Sequence, residues 1–573
     1  MYNYGKKTLT MAWNIRAALF LLYGMRKQAR RRSASIGDDP EGMKMKKLLC
    51  MLLCALFLLT ACSSKPKEDN KASAAAGEGP APASWQIRYE GAGFDTPEDA
   101  VLYYLAGLKN LDIEQMLGAF AWETQAEHYS FRDCIIRSKG IDPWMIPGMP
   151  FSGDLLKSAG VEQLRGAQTN SIYIALEIYI LGEKHFSNTS TNSIPLREEA
   201  EADDYLKLYE SDRIQKLKSM ANVRFYSPDD VTEGRFSLPK MQENFEKQNR
   251  RYGADEVRNV IAVADAGDEM VGVAPTVARY GDKWYLVSSS SMVTMILGID
   301  TNHQAFSGLP GELKTALSSF TPTGTASLPE GKHQGIRYEG SGFKTPEEAV
   351  TAYLEGLKNG NVQQMLGAFA WETQAARYSV KDNILRFTQI NSSMPARMPS
   401  LNGTLDVANL AELRFRQGWA VYNSVRYYVL QDADEESRKV IDGYRLDLKT
   451  EEEADGFIRQ FDTPRIAKLA ELSDIRIMDP AAIMGERYQT DSIQKQLDWN
   501  KRIYGADEIR ELIGTAKLGD ETVICDPILA RYGDRWYIVS VGGTAASIAG
   551  IDPQRQAFLT YKGSPEDAAA MFR

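Results

Sequence analysis

The arrangement of apolar and polar positions changes period along the chain, and it does so twice in the same order. Ala100, Val101, Tyr104, Leu105 and Leu108 recur at spacings of three and four, which predicts an amphipathic helix. Its start is well marked. Thr96 suits the N-cap, Pro97 the first helical position, and Glu98 and Asp99 the positive end of the helix dipole. Thr345, Pro346, Glu347 and Glu348 repeat the signal, with Glu348 completing a capping box. A second short helix is predicted over 113–120, and another over 240–252, stopped by Gly253. The period then falls to two. Segments 257–264, 270–279 and 284–288 read as strands of one antiparallel meander, turned at Ala266-Gly267-Asp268 and Tyr280-Gly281-Asp282. Between these ends, 172–181 and 421–430 are aromatic and β-branched and fit either a buried helix or a strand.

This double pattern is a duplication. Ile87 opens a forty-residue stretch of which thirty positions are identical to the stretch opening at Ile336, an offset of 249. Near the ends the copies agree again at an offset of 252, so three residues were gained in the variable middle. Units of this size can bury cores of their own, and each is expected to fold alone. The expected organisation is repeat domain 1 at 86–306, a Pro/Gly/Thr-rich linker at 307–334, repeat domain 2 at 335–558 and a C-terminal tail at 559–573.

The N-terminal part follows different rules. From Met43 the chain reads as a basic n-region (Lys44, Lys46, Lys47) and an apolar run from Leu48 to Leu59, too short to span a bilayer comfortably. It closes on Leu59-Thr60-Ala61-Cys62, which resembles the lipobox of bacterial lipoproteins. The resemblance implies that 43–61 is a signal peptide, that the Cys62 thiol carries a diacylglyceryl group, and that the protein is lipid-anchored on the extracytoplasmic face of the cell membrane. Residues 62–85 hold almost nothing apolar and read as a flexible tether. Residues 1–42 read as a start assigned too early or as a cytoplasmic leader.

An opening of the type Thr-Pro-Glu-Glu-Ala-Val with Gly-Leu-Lys-Asn beyond it, and a closing Gly-Asp-x-Trp-Tyr, resembles the NTF2-like superfamily. The matching residues are 96–121 and 264–287 in copy one, and 345–370 and 515–539 in copy two. The resemblance covers less than half of each unit. It implies an α+β fold of two homologous domains, each with N-terminal helices packed on a curved antiparallel sheet. The middle, 131–227 in copy one, is longer than that fold requires and reads as a partly helical insertion, unless the resemblance is only local.

Charge and chemistry narrow the function. Beyond residue 61 the chain holds 56 basic and 73 acidic residues, a net charge of −17, which argues against nucleic acid as a partner. His128, His185, His303 and His333 do not recur between the copies and lack metal-ligand spacing, so neither a metal nor another cofactor is expected. Cys134 and Cys525, one per copy, read as buried thiols. One element is chemically suggestive. Trp122-Glu123-Thr124 returns as Trp371-Glu372-Thr373, and a carboxylate beside a Trp in an apolar pocket can serve as a general acid or base. The bland alternative is that Trp fills the core while Glu caps a helix or faces solvent. The leading expectation is a non-catalytic binding or scaffolding lipoprotein of the cell envelope, with no catalytic residue assigned and its ligand or protein partner open. An NTF2-like enzyme using Glu123 or Glu372 is the alternative, and a transporter-associated ligand-binding lipoprotein is a third reading.

Overall fold

The computed structural model describes residues 87–182, 193–296, 305–309, 314–315, 317–330, 335–391 and 394–572. Cys62, the apolar segment before it and the tether lie outside the described residues, as do His185, His303 and His333. The protein is a mixed α+β structure with antiparallel sheets.

Copy one begins with α1 (Pro97–Asn110), α2 (Ile113–Leu117), α3 (Glu123–His128) and α4 (Phe131–Ser138). The expected cap is present: Thr96 Oγ1 accepts from Asp99 N at 3.1 Å. The ambiguous middle is helical, and far longer than its apolar core suggested: α5 runs from Gly153 to Leu181. It is flanked by two short strands, β1 (Gly140–Ile141) and β2 (Ile194–Pro195), and α6 (Glu199–Lys207) follows. Strands β3 (Ala221–Tyr226), β4 (Glu256–Asn259), β5 (Ile261–Ala266), β6 (Glu269–Val273), β7 (Thr276–Tyr280), β8 (Lys283–Ser288), β9 (Ser307–Gly308) and β10 (Gly324–Ala326) complete it.

The single meander predicted for copy one is divided between two sheets, ordered β10-β3-β5-β6-β9 and β4-β7-β8. Pro275 explains the division. It lacks an amide donor, so the ladder breaks between β6 and β7, and only its carbonyl engages, accepting from Val260 N at 3.2 Å. Pro527 receives Leu512 N in the same way in copy two. Single-residue bridges join the helical opening to β8, pairing Phe94 with Trp284 and Phe120 with Leu286.

Copy two repeats this order. It contains α7 (Pro346–Lys358), α8 (Val362–Leu366), α9 (Trp371–Arg377), α10 (Val380–Phe387), β11 (Gln389–Ile390), α11 (Asp406–Leu430), β12 (Leu446–Asp447) and α12 (Glu451–Arg459). Then come β13 (Ser473–Met478), β14 (Glu508–Glu511), β15 (Ile513–Leu518), β16 (Glu521–Cys525), β17 (Ile528–Tyr532), β18 (Arg535–Ser540) and β19 (Leu559–Lys562). Its sheets are β13-β15-β16-β19 and β14-β17-β18. The segment expected to be a tail thus supplies an integral strand, with Leu559 opposite Ile524 on β16. Part of the expected linker is likewise structured, as β9 and β10.

The copies are interlocked through their middle segments. Helix α5 packs along α11, and at Gly166 a Cβ would lie 2.5 Å from the Phe415 ring. The flanking strands are exchanged. β1 of copy one pairs with β12 of copy two, and β11 of copy two pairs with β2 of copy one. Helices follow the strands: α4 lies against α12, and α10 against α6. Arg132 meets Glu451 at 2.7 Å and Asp455 at 2.9 Å, and the equivalent Lys381 meets Glu199 and Asp203 at 2.7 Å each. These reciprocal pairings describe a pseudo-twofold relation between the copies. One continuous apolar cluster contains side chains of both, from Tyr89 to Phe558, which runs against the expectation that each copy folds alone.

Candidate functional site

The Trp-Glu-Thr element is built identically in both copies. Trp122 and Trp371 are buried, stacked on Phe120 at 4.9 Å and on Phe369 at 4.8 Å, and their indole N–H groups donate to the carbonyls of Leu117 and Leu366. The adjacent carboxylates face the chain's own backbone. Glu123 accepts from the amides of Tyr89 at 2.9 Å and Glu90 at 3.0 Å, and Glu372 from Tyr338 at 2.7 Å and Glu339 at 2.9 Å. The bond is reciprocated. Glu90 takes both the amide and the hydroxyl of Thr124, and Glu339 both those of Thr373. Two carboxylates per copy therefore clamp the opening segment to the start of α3 or α9, satisfying helix-end donors. Burial pushes the Glu123 and Glu372 carboxyls above the usual carboxylate range, while the backbone donors oppose that shift.

The clamps hold Tyr89 and Tyr338 at the pseudo-twofold axis, their rings 6.4 Å apart. Two equivalent arginines from the long helices meet them there. Arg165 of α5 lies 4.8 Å from the Tyr89 ring, donates to the Tyr338 hydroxyl at 2.6 Å and pairs with Glu114. Arg414 of α11 lies 4.3 Å from the Tyr338 ring and 5.5 Å from Trp371, pairs with Glu162 at 2.8 Å and donates to the Tyr89 hydroxyl. All four charged side chains are at most 6 % exposed. The two cations balance two anions, and burial keeps both phenols neutral, raised far above the usual tyrosine range. The pseudo-symmetry is not complete. Gln363 occupies the position equivalent to Glu114 and binds the backbone of Ile87, with N–H to Oε1 at 2.9 Å and Nε2 to O at 2.8 Å. Arg165 and Arg414 were absent from the sequence-based candidates. Their signal was their recurrence at the offset of 249.

A second buried charge cluster belongs to copy two alone. Glu511 and Asp526, 5 % and 2 % exposed, both approach Gly543 at the start of the short helix Thr544–Ile548. Glu511 accepts from the Tyr488 hydroxyl at 3.0 Å and from Ala545 N, and Asp526 accepts from Ala546 N at 2.6 Å. Copy one has Asn259 and Ala274 at the equivalent positions. Desolvation, then the charge of Glu511, pushes Asp526 well above the usual range, and desolvation raises Glu511 against its amide donors. The folded protein therefore holds a proton that the unfolded chain has released. Stability from this pair is complete below pH ~4, where unfolded carboxyls titrate. It is lost as pH rises toward the elevated folded value. Asp526→Asn, which mimics the protonated form, is expected to flatten this part of the decline. Urea midpoints of both proteins at acidic and mildly alkaline pH check it, and an unaltered difference between the two pH values would refute the assignment.

Among the described residues, no group of three His, Cys, Asp or Glu side chains is placed to hold a metal, and no helix is long and apolar enough to cross a membrane. Cys134 and Cys525 are buried and unpaired as disulfides. No protein-family model matches the chain, and no curated protein matches it. Among solved structures it is similar to a cystatin-like protein from Ruminococcus gnavus, with 15% identity and a TM-score of 0.44, over 82% of this chain and 94% of that one.

Proposed function

We propose that this protein is a lipid-anchored lipoprotein of the extracytoplasmic cell envelope whose two NTF2-like copies act together as a binding or scaffolding body rather than as an enzyme. The observation that carries the non-catalytic reading is the fate of Glu123 and Glu372. Both carboxylates are engaged by two backbone amides each, in the same geometry in both copies. A general acid or base needs reach to a substrate proton, and these oxygens are committed to holding the Tyr89 and Tyr338 segments. The anchoring half rests on the n-region, the apolar run and Leu59-Thr60-Ala61-Cys62.

Cys62→Ser is expected to abolish incorporation of labelled fatty acid and to move the protein from the membrane to the soluble fraction. Membrane retention with label still incorporated would overturn the anchor. The binding half is read by photo-crosslinking in intact cells, where a discrete partner band should survive Glu123→Gln together with Glu372→Gln. Disappearance of that band in a normally folded double variant would return the carboxylates to the functional site.

A further inference from the structure

Helix α4 carries Cys134 and Arg137 one turn apart, and it packs against the single turn Arg250–Tyr252. Ser130 N fixes that contact by donating to the Arg251 carbonyl at 2.8 Å. Arg251 lies over the Tyr252 ring at 4.8 Å and donates from Nη2 to the Tyr252 hydroxyl at 2.8 Å. Tyr129 stands edge-on to Tyr252, with 6.4 Å between the ring centres. The Arg251 guanidinium is thus surrounded by two phenols and the Cys134 thiol.

None of these groups is a carboxylate, and the nearest further charge has the same sign. Partial desolvation, and then the like charge of Arg251, hold Arg137 below the usual guanidinium range. Among the described residues neither arginine forms an ion pair, and Asp133, one turn before Arg137, makes none with it. The Arg251 Nε is enclosed and has no acceptor. Tyr129 does not supply the countercharge, because burial pushes its phenol well above the usual tyrosine range. Enclosed guanidinium donors are normally matched by an acceptor or an anion. Arg137 is exposed, so the pair of cations is reached from solvent.

Copy two has the same place without the second cation. Arg386 is equivalent to Arg137, but Ile503 stands for Arg251 and Asn383 for Cys134. There the one guanidinium has an acceptor from the protein: Arg386 Nη1 donates to Asn500 Oδ1 at 2.5 Å. Asn383 donates to the Tyr378 hydroxyl at 2.6 Å. The doubled charge of copy one is therefore not something the fold requires.

We propose that Arg137 and Arg251 form a site, peculiar to copy one, for a small oxyanion of the phosphate type, either free or at the end of a ligand. Two guanidinium groups supply forked donors that match such an anion in charge and geometry. The Tyr252 hydroxyl accepts from Arg251, which leaves its own proton to donate to the same oxyanion. This deepens the binding reading by naming a ligand chemistry. Its failure leaves partner capture by crosslinking untouched, because the two are measured separately.

The test titrates the full chain carrying Cys62→Ser with inorganic phosphate, and separately with glycerol phosphate, by calorimetry at low ionic strength. Saturable binding is expected. Affinity should fall by about tenfold or more, the loss of one charge-assisted contact, with Arg251→Ile or Arg137→Gln. Ile is the residue copy two carries at that position, so the fold accommodates it, and the melting temperature of each variant verifies this. Phosphate should raise the melting temperature of the parent and not that of Arg251→Ile. Arg386→Gln should leave binding unchanged, which separates the site from overall charge. Tighter binding of the ester supports a phosphate carried on a larger ligand, and equal or weaker binding supports the free anion. Three results would overturn the proposal. One is no saturation at millimolar phosphate. Another is affinity indifferent to Arg251→Ile, or reduced as much by Arg386→Gln. The last is a thiolate absorbance at neutral pH that Cys134→Asn removes, which would make Cys134 itself the countercharge.

Discussion

Expressed alone, residues 86–320 or 335–573 are expected to give aggregated or self-associated material, and co-expression of the two should yield a soluble one-to-one complex. Separation uncovers side chains buried between the copies. Tyr173, 0 % exposed, donates to Asn409 at 3.3 Å and accepts the amides of Arg397 and Met398. Tyr422 accepts from Gly148 N at 3.0 Å, and Phe131 packs edge-on against Phe461. Each large apolar side chain returned to water costs about 1.5–3 kcal/mol, so a handful of them matches the whole ~5–15 kcal/mol stability of a typical domain. Polar partners are stranded as well: Glu177 loses Arg397, which it holds at 2.6 Å, and Arg426 loses the Pro143 carbonyl. Size-exclusion chromatography with light scattering decides the matter. Two monodisperse monomers that melt cooperatively would show that the shared core is dispensable.

Arg414→Ala is expected to destabilise the intact protein by ~3–5 kcal/mol, the usual consequence of leaving a buried countercharge unpaired. Glu162 would keep the Tyr89 hydroxyl as a donor but lose its cationic partner, the Tyr89 hydroxyl would lose the donor it accepts from, and the cavity beside Trp371 and Tyr338 would add to the loss. Arg414→Met combined with Glu162→Leu removes both charges and restores apolar volume, so it should recover most of that stability. Urea midpoints at constant m-value measure both. An Arg414→Ala protein within ~1 kcal/mol of the parent would show that water solvates the site.

The parts legible in the sequence are those where local chemistry decides. The Thr96 and Thr345 caps lie where residue type predicted them, because an N-cap needs only a side-chain acceptor and the next three amides. Both turns of the meander form at Gly267 and Gly281, each with φ near +64°, which glycine adopts without strain. The duplication was legible as well, but not its consequence. Ile172 to Leu181 is buried throughout, Glu177 included, because it is covered on one side by its own copy and on another by copy two, and a mainly apolar run does not say what covers it. The exchanged strands are two residues long, below anything a pattern detects. At the Trp-Glu-Thr element, spacing identified the residues but not the partners of the carboxylates, which are backbone amides more than thirty positions earlier in the chain.

Gly166 and Phe415 occupy equivalent positions, separated by the offset of 249, and they meet each other. A pairing of copy one with itself would set glycine against glycine and leave a void; a pairing of copy two with itself would drive two phenyl rings into one space. Only the mixed pair fits, so the contact discriminates against both homotypic assemblies. A duplicated unit whose ancestor paired with itself would thereby have become obligatorily heterotypic. Because both partners are fused in one polypeptide, the stoichiometry is fixed at synthesis and no longer depends on concentration.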